Sequence, residues 1–176
     1  MTASGILAAG AVLFLIMLGE LRVSRAHERR LRAAGAVEPA GDVYRTMAWA
    51  YPGCFAAILA EGAWLAPAPA AVAWSGLAIL AAAKALKYWA IASLGPRWTF
   101  RVLVVPGAPL VAHGPYAWMR HPNYVGVMGE LAGLALLAGA PAAGPLSIAL
   151  FVLLLRRRIA VEEAALKRQS FTRSDR

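Results

Sequence analysis

Long apolar stretches alternate with short polar ones along the whole chain. Five of the apolar stretches are predicted to be membrane-crossing helices: residues 4–21, 46–66, 71–94, 124–140 and 146–155. A membrane-crossing helix needs about 20 predominantly apolar residues, and the longer stretches meet that requirement. Residues 141–145 form a tight uncharged break, so the last two segments are predicted to form a helical hairpin.

Composition strengthens the membrane prediction. Of 176 residues, 60% are hydrophobic and 15% are charged, whereas an ordinary soluble domain has about 45–50% and about 25%. Five crossings would occupy about 100 residues, which leaves little chain for a separate soluble domain. The single cysteine, Cys54, can form no internal disulfide, so a secreted disulfide scaffold is excluded as well.

The basic residues all fall on one predicted side of the membrane. The 18 lysines and arginines form four groups: residues 22–45, Lys84 with Lys87, residues 95–123, and the segment from Arg156 onward. The connections at 62–70 and 139–145 contain none. This asymmetry predicts five spans with the N-terminus outside and the C-terminus in the cytoplasm. Membrane lipids are then the expected partners of the positive charge, and no nucleic acid is needed to explain it.

The predicted cytoplasmic loop between the third and fourth segments has its own pattern. Residues 99–105 are rich in β-branched side chains, residues 106–109 form a turn sequence, and residues 110–112 are apolar again. This pattern predicts a short β-hairpin. The fold class is therefore an all-α membrane protein with about five transmembrane helices and one small cytoplasmic hairpin. Residues 1–66 are expected to form N-terminal helices and a basic loop, and residues 67–176 the functional core.

A charged side chain inside a membrane span costs about 2.5–3.5 kcal/mol or more. The first span has one acid, Glu20, at its inner end, and two further acids stand out inside later spans, Glu61 and Glu130. Glu61 lies near the outer end of its span and can reach water there. Glu130 follows Tyr124 by about 9 Å of helix rise, so we expect it well below the inner interface. It can line a substrate cavity or hold helices together, and the sequence leaves both interpretations open.

The two ends of the C-terminal hairpin should meet at the cytoplasmic surface. The fourth helix is predicted to begin at Pro122, where free backbone N–H groups can bind an anion. Charged side chains lie at both ends of the hairpin: Arg120, His121, Arg158, Glu162 and Glu163. Such a cluster offers cations for a carboxylate and anions for an ammonium or ribose hydroxyls. A helix cap, a headgroup anchor and an ordinary ion pair along one helix face would explain the same residues without a ligand.

Four motifs occupy the second half of the chain. They are Leu94-Gly95-x-x-Trp98, Gly114-Pro115-Tyr116, Arg120-His121-Pro122-Asn123-Tyr124-x-Gly126 and Arg158-Ile159-x-x-Glu162-Glu163-x-x-Leu166. Together they resemble the isoprenylcysteine carboxyl methyltransferase family, above all its short bacterial members. The resemblance covers about residues 84–168, and Arg-His-Pro-x-Tyr followed by Glu-Glu is its most specific part.

The resemblance implies an integral-membrane methyltransferase of the bacterial inner membrane. It implies that S-adenosylmethionine is held on the cytoplasmic side and that a lipophilic substrate enters from the bilayer. The implied cofactor-contacting residues are Gly114, Tyr116, Arg120, His121, Pro122, Tyr124, Glu162 and Glu163. The catalytic candidates are Glu130, His121 and Arg158, and no metal site is expected. Glu130 or His121 can accept a proton from a phenol or enol, whereas a carboxylate acceptor needs no base.

The chain departs from the larger family members after Leu166. Those members continue with a Phe-Gly…Tyr…Tyr segment, whereas this chain continues with Lys167-Arg168-Gln169-Ser170-Phe171. The acceptor therefore stays open between a prenylcysteine-like carboxylate and a hydroxyl of an alkylated polyketide or phenolic lipid. Two other functions are compatible with the sequence: an NADPH-dependent membrane reductase of the sterol-reductase type, which shares a similar Arg-His-Pro-Asn-Tyr hairpin, and a non-enzymatic helical membrane scaffold.

Overall fold

Five helices make up most of the structure, a computed structural model that describes the backbone of residues 3–174 and the side chains of residues 4–167. The helices are α1 (Ala3–Ala33), α2 (Tyr44–Trp64), α3 (Ala70–Leu94), α4 (Pro122–Ala138) and α5 (Ala143–Ser174). Two short 3₁₀ turns, Gly95–Arg97 and Gly114–Ala117, lie between α3 and α4. The predicted all-helical class with five helices is confirmed.

Helix α1 is longer than its apolar segment. The first predicted span ends at residue 21, and the basic residues 22–45 after it were expected to form an aqueous loop, but the helix continues to Ala33, so the first half of the predicted loop was wrong. Residues 22–33 contain no glycine or proline, and their arginine, leucine and alanine residues favour helix. The basic residues from Arg22 to Arg32 therefore lie on about the last three turns of α1.

The predicted β-hairpin in the loop before α4 was wrong, since the described part of that loop contains no strand. Val104 instead pairs with Val37 in an isolated antiparallel bridge, with N–H···O distances of 2.9 and 3.0 Å. Arg101 lies 2.7 Å from Glu38 and 3.4 Å from Glu28 beside this bridge. Residues 99–105 thus form backbone hydrogen bonds with the loop after α1 and do not pair with residues 110–112.

Helix α4 is the centre of the bundle, because α2, α3 and α5 all pack on it. Its closest neighbour is α3, and glycines make that approach possible. A Cβ added to Gly133 would lie 2.5 Å from the backbone nitrogen of Leu80 and 2.8 Å from the carbonyl oxygen of Gly76. Small residues at such positions let membrane helices pack backbone to backbone.

At the opposite end from the basic loops, Glu61 connects α2 to α5. Its Oε2 accepts a hydrogen bond of 2.6 Å from the backbone N–H of Ala143, and its Oε1 accepts one of 3.1 Å from that of Ala142. These N–H groups lie at the start of α5, where the backbone N–H groups have no hydrogen-bond acceptor within their own helix. Glu61 therefore caps α5 from a neighbouring helix.

The apolar outer surface is typical of a membrane protein. Two helices, Ser4–Ala33 and Ala70–Arg97, are long and apolar enough to cross a membrane by length and composition. Exposed tryptophans lie near both ends of two helices: Trp49 and Trp64 in α2, and Trp74 and Trp89 in α3. Within each helix the two tryptophans are about 22 Å apart along the axis. Tryptophan is enriched at both membrane–water interfaces, so these pairs indicate a membrane position.

Candidate functional site

The first turn of α4 and the C-terminal half of α5 lie side by side. Nε2 of His121 is 3.5 Å from Oε1 of Glu163, and its Nδ1 is 4.0 Å from Oε2 of Glu162. Arg120 approaches the same Glu163 oxygen at 3.4 Å. The rings of His121 and Tyr124 are stacked, with centroids 5.3 Å apart. The structure thus brings together the charged residues that the motifs pointed to.

Arg158 lies deeper in this cluster, and all three of its guanidinium nitrogens are occupied. Nε donates to the Tyr124 hydroxyl at 2.9 Å, one terminal nitrogen donates to Asp42 at 3.0 Å, and the other donates to the Phe100 carbonyl at 2.5 Å. The Tyr124 hydroxyl in turn donates to Glu162 at 2.5 Å. Arg158 therefore fixes Tyr124, and through it Glu162, in one arrangement.

Asp42 is a partner that the sequence analysis missed. Its carboxylate binds Arg158 and also accepts hydrogen bonds from the backbone N–H groups of Tyr44 and Val102, at 3.1 and 2.9 Å. The side chains of Asp42 and Arg158 are 4% and 6% exposed, so this ion pair is buried. It connects the loop after α1, the loop before α4, and α5. The one sequence signal is that Asp42 is among the few acids of a basic segment.

The second 3₁₀ turn packs on the end of α3 beside the cluster. Gly114 has a φ of +60°, and a Cβ there would collide with the side chain of Ser93 and approach Trp89. This position therefore requires glycine. Tyr116 is half-buried next to the charges, and burial, followed by the charge of Glu162, raises the pKa of its hydroxyl.

Helix α4 begins at Pro122 without a side-chain cap. His121 is the residue before it and makes no cap hydrogen bond, and its Nε2 makes no well-formed hydrogen bond at all. Oδ1 of Asn123 is buried beside it and also lacks a partner. An uncapped helix start carries a partial positive charge. Together with the unpartnered polar atoms, it fits a polar, negatively charged ligand group.

The exposed charges of the cluster are only loosely paired. Arg120 and Glu163 have side chains that are 84% and 35% exposed and approach each other at 3.4 Å. Such exposed pairs contribute about 0–1 kcal/mol, so a ligand can replace them at little cost. His121 first, and then Arg120, hold the pKa of the Glu163 carboxyl below its usual value. A bound ammonium would therefore meet an ionised carboxylate, and a bound carboxylate would meet Arg120 and His121.

A small apolar groove of about 300 Å³ lies between the loop after α1 and α5. Its lining residues are Pro39, Ala40, Ala160, Val161, Ala164 and Ala165. These residues include none of the charged side chains of the cluster.

Glu130 lies in a different place, among buried charges between α1, α3 and α4. One of its oxygens is 3.2 Å from Nζ of Lys84 and 3.3 Å from Nζ of Lys87, and the Tyr51 hydroxyl donates to the other. Nζ of Lys87 also binds Glu20 at 2.7 Å. We refer to Glu20, Lys84, Lys87 and Glu130 as the buried quartet.

The sequence analysis grouped Lys84 and Lys87 with the basic residues of the cytoplasmic side, whereas the structure places both lysines among the helices. Lys87 is almost fully buried, because the acids on α1 and α4 draw both lysines into the bundle. The sequence signal was present, since α1 and α4 each carry an acid within an apolar stretch. Two acids and two lysines buried together can neutralise each other.

Comparisons with known proteins point to one family. A model of the Isoprenylcysteine carboxyl methyltransferase (ICMT) family matches residues 76–168. A Bacillus subtilis protein named "Uncharacterized protein YpbQ" is 34% identical over 161 residues, which are 91% of this chain and 95% of that protein. A Haemophilus influenzae "Uncharacterized protein" is 27% identical over 157 residues, which are 89% of this chain and 91% of that protein. No solved structure matches the chain.

Proposed function

The chain belongs to the isoprenylcysteine carboxyl methyltransferase family, and on that premise we propose that it is an S-adenosylmethionine-dependent methyltransferase acting in the membrane on an oxygen of a lipophilic acceptor. The contact between His121 and Glu163 carries the proposal. It brings the N–H donors of Arg120 and His121 next to the carboxylates of Glu162 and Glu163, and a zwitterionic ligand requires both kinds of group. When bound, S-adenosylmethionine supplies an activated methyl group next to a positively charged sulfur.

The charged residues divide into two binding roles. Arg120, His121 and the uncapped start of α4 bind the ligand carboxylate, because all three offer positive charge or N–H donors. Glu162 and Glu163 accept hydrogen bonds from the ligand ammonium and ribose hydroxyls. The N–H donors at the start of α4 and the carboxylates on α5 can then bind the two charged groups of one ligand.

The remaining motif residues support this arrangement. Arg158 is a positioning residue, since its three donor nitrogens are already used on Tyr124, Asp42 and Phe100. Gly114 and Tyr116 line the side of the cluster formed by the second 3₁₀ turn, and Pro122 starts α4 at the required place. The ligand therefore meets a preformed site rather than one that must fold around it.

The protein accelerates the reaction mainly by holding the two reacting groups in position. Holding an acceptor oxygen close to the methyl group and excluding water can lower the barrier by about 7–11 kcal/mol. An acceptor hydroxyl also needs a base, which can add about 10²–10⁴-fold in rate. The two candidates for that base are His121, at the start of α4, and Glu130, which lies inside the helix bundle.

The proposed orientation is five spans with the N-terminus outside and the donor site facing the cytoplasm of a bacterial cell. Two observations support it. The connection at 65–69 is uncharged and lies between Trp64 and Trp74, whereas the arginine-rich ends of α1 and α5 lie on the side of Trp49 and Trp89. Fusion of reporters to the C-terminus tests this orientation: a fluorescent protein should be active there, and alkaline phosphatase should be inactive.

Thermal unfolding of the purified protein with three ligands tests the proposed reaction. S-adenosylmethionine and S-adenosylhomocysteine should raise Tm, because a ligand at 100 times its Kd adds about 2.7 kcal/mol of stability. The Glu162→Gln variant should lose this shift. The matched control Arg156→Gln, which removes an exposed α5 cation outside the cluster, should keep it. Stabilisation by NADPH alone would favour a reductase, and no stabilisation by any of the three would favour a scaffold.

A further inference from the structure

Residues 98–104 form the first part of the loop before α4 and contain no helix. Their buried backbone groups therefore need hydrogen-bond partners from elsewhere in the chain. Two of these partners are side chains of α1. Nδ1 of His27 donates to the Trp98 carbonyl at 2.8 Å, and the Ser24 hydroxyl accepts a hydrogen bond of 2.8 Å from the Phe100 N–H. Ser24 is fully buried, so water does not replace it as the acceptor.

The loop after α1 supplies partners for the next two alternate residues. The Val102 N–H donates to the Asp42 carboxylate at 2.9 Å, and Val104 exchanges two backbone hydrogen bonds with Val37. Residues 98, 100, 102 and 104 thus all bond to the chain before residue 43, with the two-residue period of extended backbone. We refer to the four N-terminal partners as the N-terminal clamp: Ser24, His27, Val37 and Asp42.

Arg158 connects this clamped segment to the proposed S-adenosylmethionine site. Its terminal nitrogens donate to the Phe100 carbonyl at 2.5 Å and to Asp42 at 3.0 Å. One acceptor belongs to a residue that the clamp holds, and the other belongs to the clamp itself. The third nitrogen, Nε, donates to the Tyr124 hydroxyl at 2.9 Å, and that hydroxyl donates to Glu162 at 2.5 Å. The clamp and Glu162 are thus the two ends of one hydrogen-bonded chain.

Stability alone does not account for a charged group in this place. Arg158 is 5% exposed, and a buried ion pair is often no more stabilising than apolar residues of similar volume. What the guanidinium provides is direction, because its donors form a rigid planar fork. With two donors fixed on Phe100 and Asp42, the third can point only at Tyr124. The clamp therefore determines where the Tyr124 hydroxyl, and with it the Glu162 carboxylate, lies.

We propose that the N-terminal clamp positions Glu162 for ligand binding through Arg158 and Tyr124. This inference rests on the proposed methyltransferase function. Ser24 and Asp42 are positioning residues, because they act through Arg158. Both precede residues 76–168, which the family model matches. Donor binding in this chain therefore depends on α1 and the loop after it as well as on the C-terminal half.

The first measurement is the affinity of S-adenosylhomocysteine for the nanodisc-embedded protein, by calorimetry. Ser24→Ala removes the acceptor of the Phe100 N–H and should weaken binding about 10-fold, an ordinary size for coupling between distant positions. The matched control is Arg25→Ala, which removes an exposed side chain from the next position of α1. It should bind S-adenosylhomocysteine within twofold of the wild type.

A second background separates positioning from simple stability. Tyr124→Phe removes the hydroxyl between Arg158 and Glu162 and should itself weaken binding about 10-fold. In that background, Ser24→Ala should leave the affinity within twofold of Tyr124→Phe alone, although it lowers Tm as much as it does in the wild type. A purely structural clamp would weaken binding by the same factor in both backgrounds, and that result would overturn the inference.

Hydrogen–deuterium exchange of the ligand-free protein gives a readout that needs no ligand. Ser24→Ala should speed amide exchange in residues 98–104 and 156–166 and leave residues 143–152, at the other end of α5, unchanged. Unchanged exchange in 156–166, or unchanged affinity in Ser24→Ala, would overturn the inference. If the wild type binds no S-adenosylhomocysteine, the proposed function fails, whereas faster exchange in 156–166 of Ser24→Ala would still support positioning of Glu162 by the clamp.

Discussion

The Glu163 carboxylate lies 3.5 Å from the imidazole of His121, which joins the C-terminal half of α5 to the start of α4. The contact follows from helix length. Helix α4 has 17 residues, and the tight connection at 139–142 reverses the chain. At 1.5 Å per residue, α5 needs about the same number of residues to return to the level where α4 began. The Glu-Glu pair lies about one turn beyond that level.

The pH dependence of donor binding should report the Glu163 charge. His121 and Arg120 lower the pKa of this carboxyl from its ordinary value of 4.5, so it stays ionised from pH 7 down to about pH 5. Glu163→Gln should therefore weaken S-adenosylhomocysteine binding equally at pH 7 and pH 5.5. The difference from the wild type should vanish only as the pH falls through the lowered pKa. Calorimetry at the two pH values checks this, and a difference already lost at pH 5.5 would contradict it.

Breaking the buried ion pair between Asp42 and Arg158 should destabilise the whole protein. Asp42→Asn leaves Arg158 buried without its counter-charge, which costs about 3–5 kcal/mol. For a chain of this size, that loss corresponds to a Tm decrease of about 6–20 °C. Thermal unfolding in detergent measures it. The double variant Asp42→Asn/Arg158→Met should lose less stability than the sum of the two single variants, and strict additivity would show that the pair does not interact.

Much of the candidate site could be predicted because its residues are close in sequence to helix ends. Pro122 marks the start of α4, and the positions of Arg120 and His121 follow from it. The length of the hairpin then places Glu162 and Glu163 opposite them. Local patterns and helix rise are enough for this step, because no other part of the chain is involved.

Close packing of α3 on α4 should depend on Gly133. Gly133→Ala would place a Cβ 2.5 Å from the backbone of Leu80, and backbone cannot give way as a side chain can. Overpacking of this kind costs about 1–3 kcal/mol, so Tm should fall. The control Gly19→Ala adds the same methyl group where nothing lies within 4 Å and should be neutral or stabilising. Equal Tm values for the two variants would contradict the helix contact.

Removal of the cap on α5 should cost less than these changes. Glu61→Ala leaves the N–H groups of Ala142 and Ala143 without the carboxylate that they bind. Loss of a helix cap costs about 0.5–2 kcal/mol. Glu61→Gln keeps an acceptor oxygen and should lose less stability than Glu61→Ala, as measured by Tm. An unchanged Tm in Glu61→Ala would show that water replaces the cap without cost.

The features that sequence reasoning missed depend on contacts between distant segments. Asp42 binds Arg158, and Val104 pairs with Val37; neither pair has a local spacing that marks it. The β-branched residues at 99–105 indicated extended backbone, but extended backbone can pair with any available edge. The sequence grouped Lys84 and Lys87 with the cations of one membrane side, and only their contacts with the acids of α1 and α4 show that they lie inside the bundle.

Calorimetric titration of S-adenosylhomocysteine into the purified protein tests the central claim most directly. The wild type and the control Arg156→Gln should bind it with equal affinity, whereas His121→Ala and Glu162→Gln should show no measurable binding. All four proteins should unfold cooperatively, so that loss of binding is not loss of fold. Wild-type affinity in both cluster variants would contradict the assignment of the meeting point of α4 and α5 as the donor site.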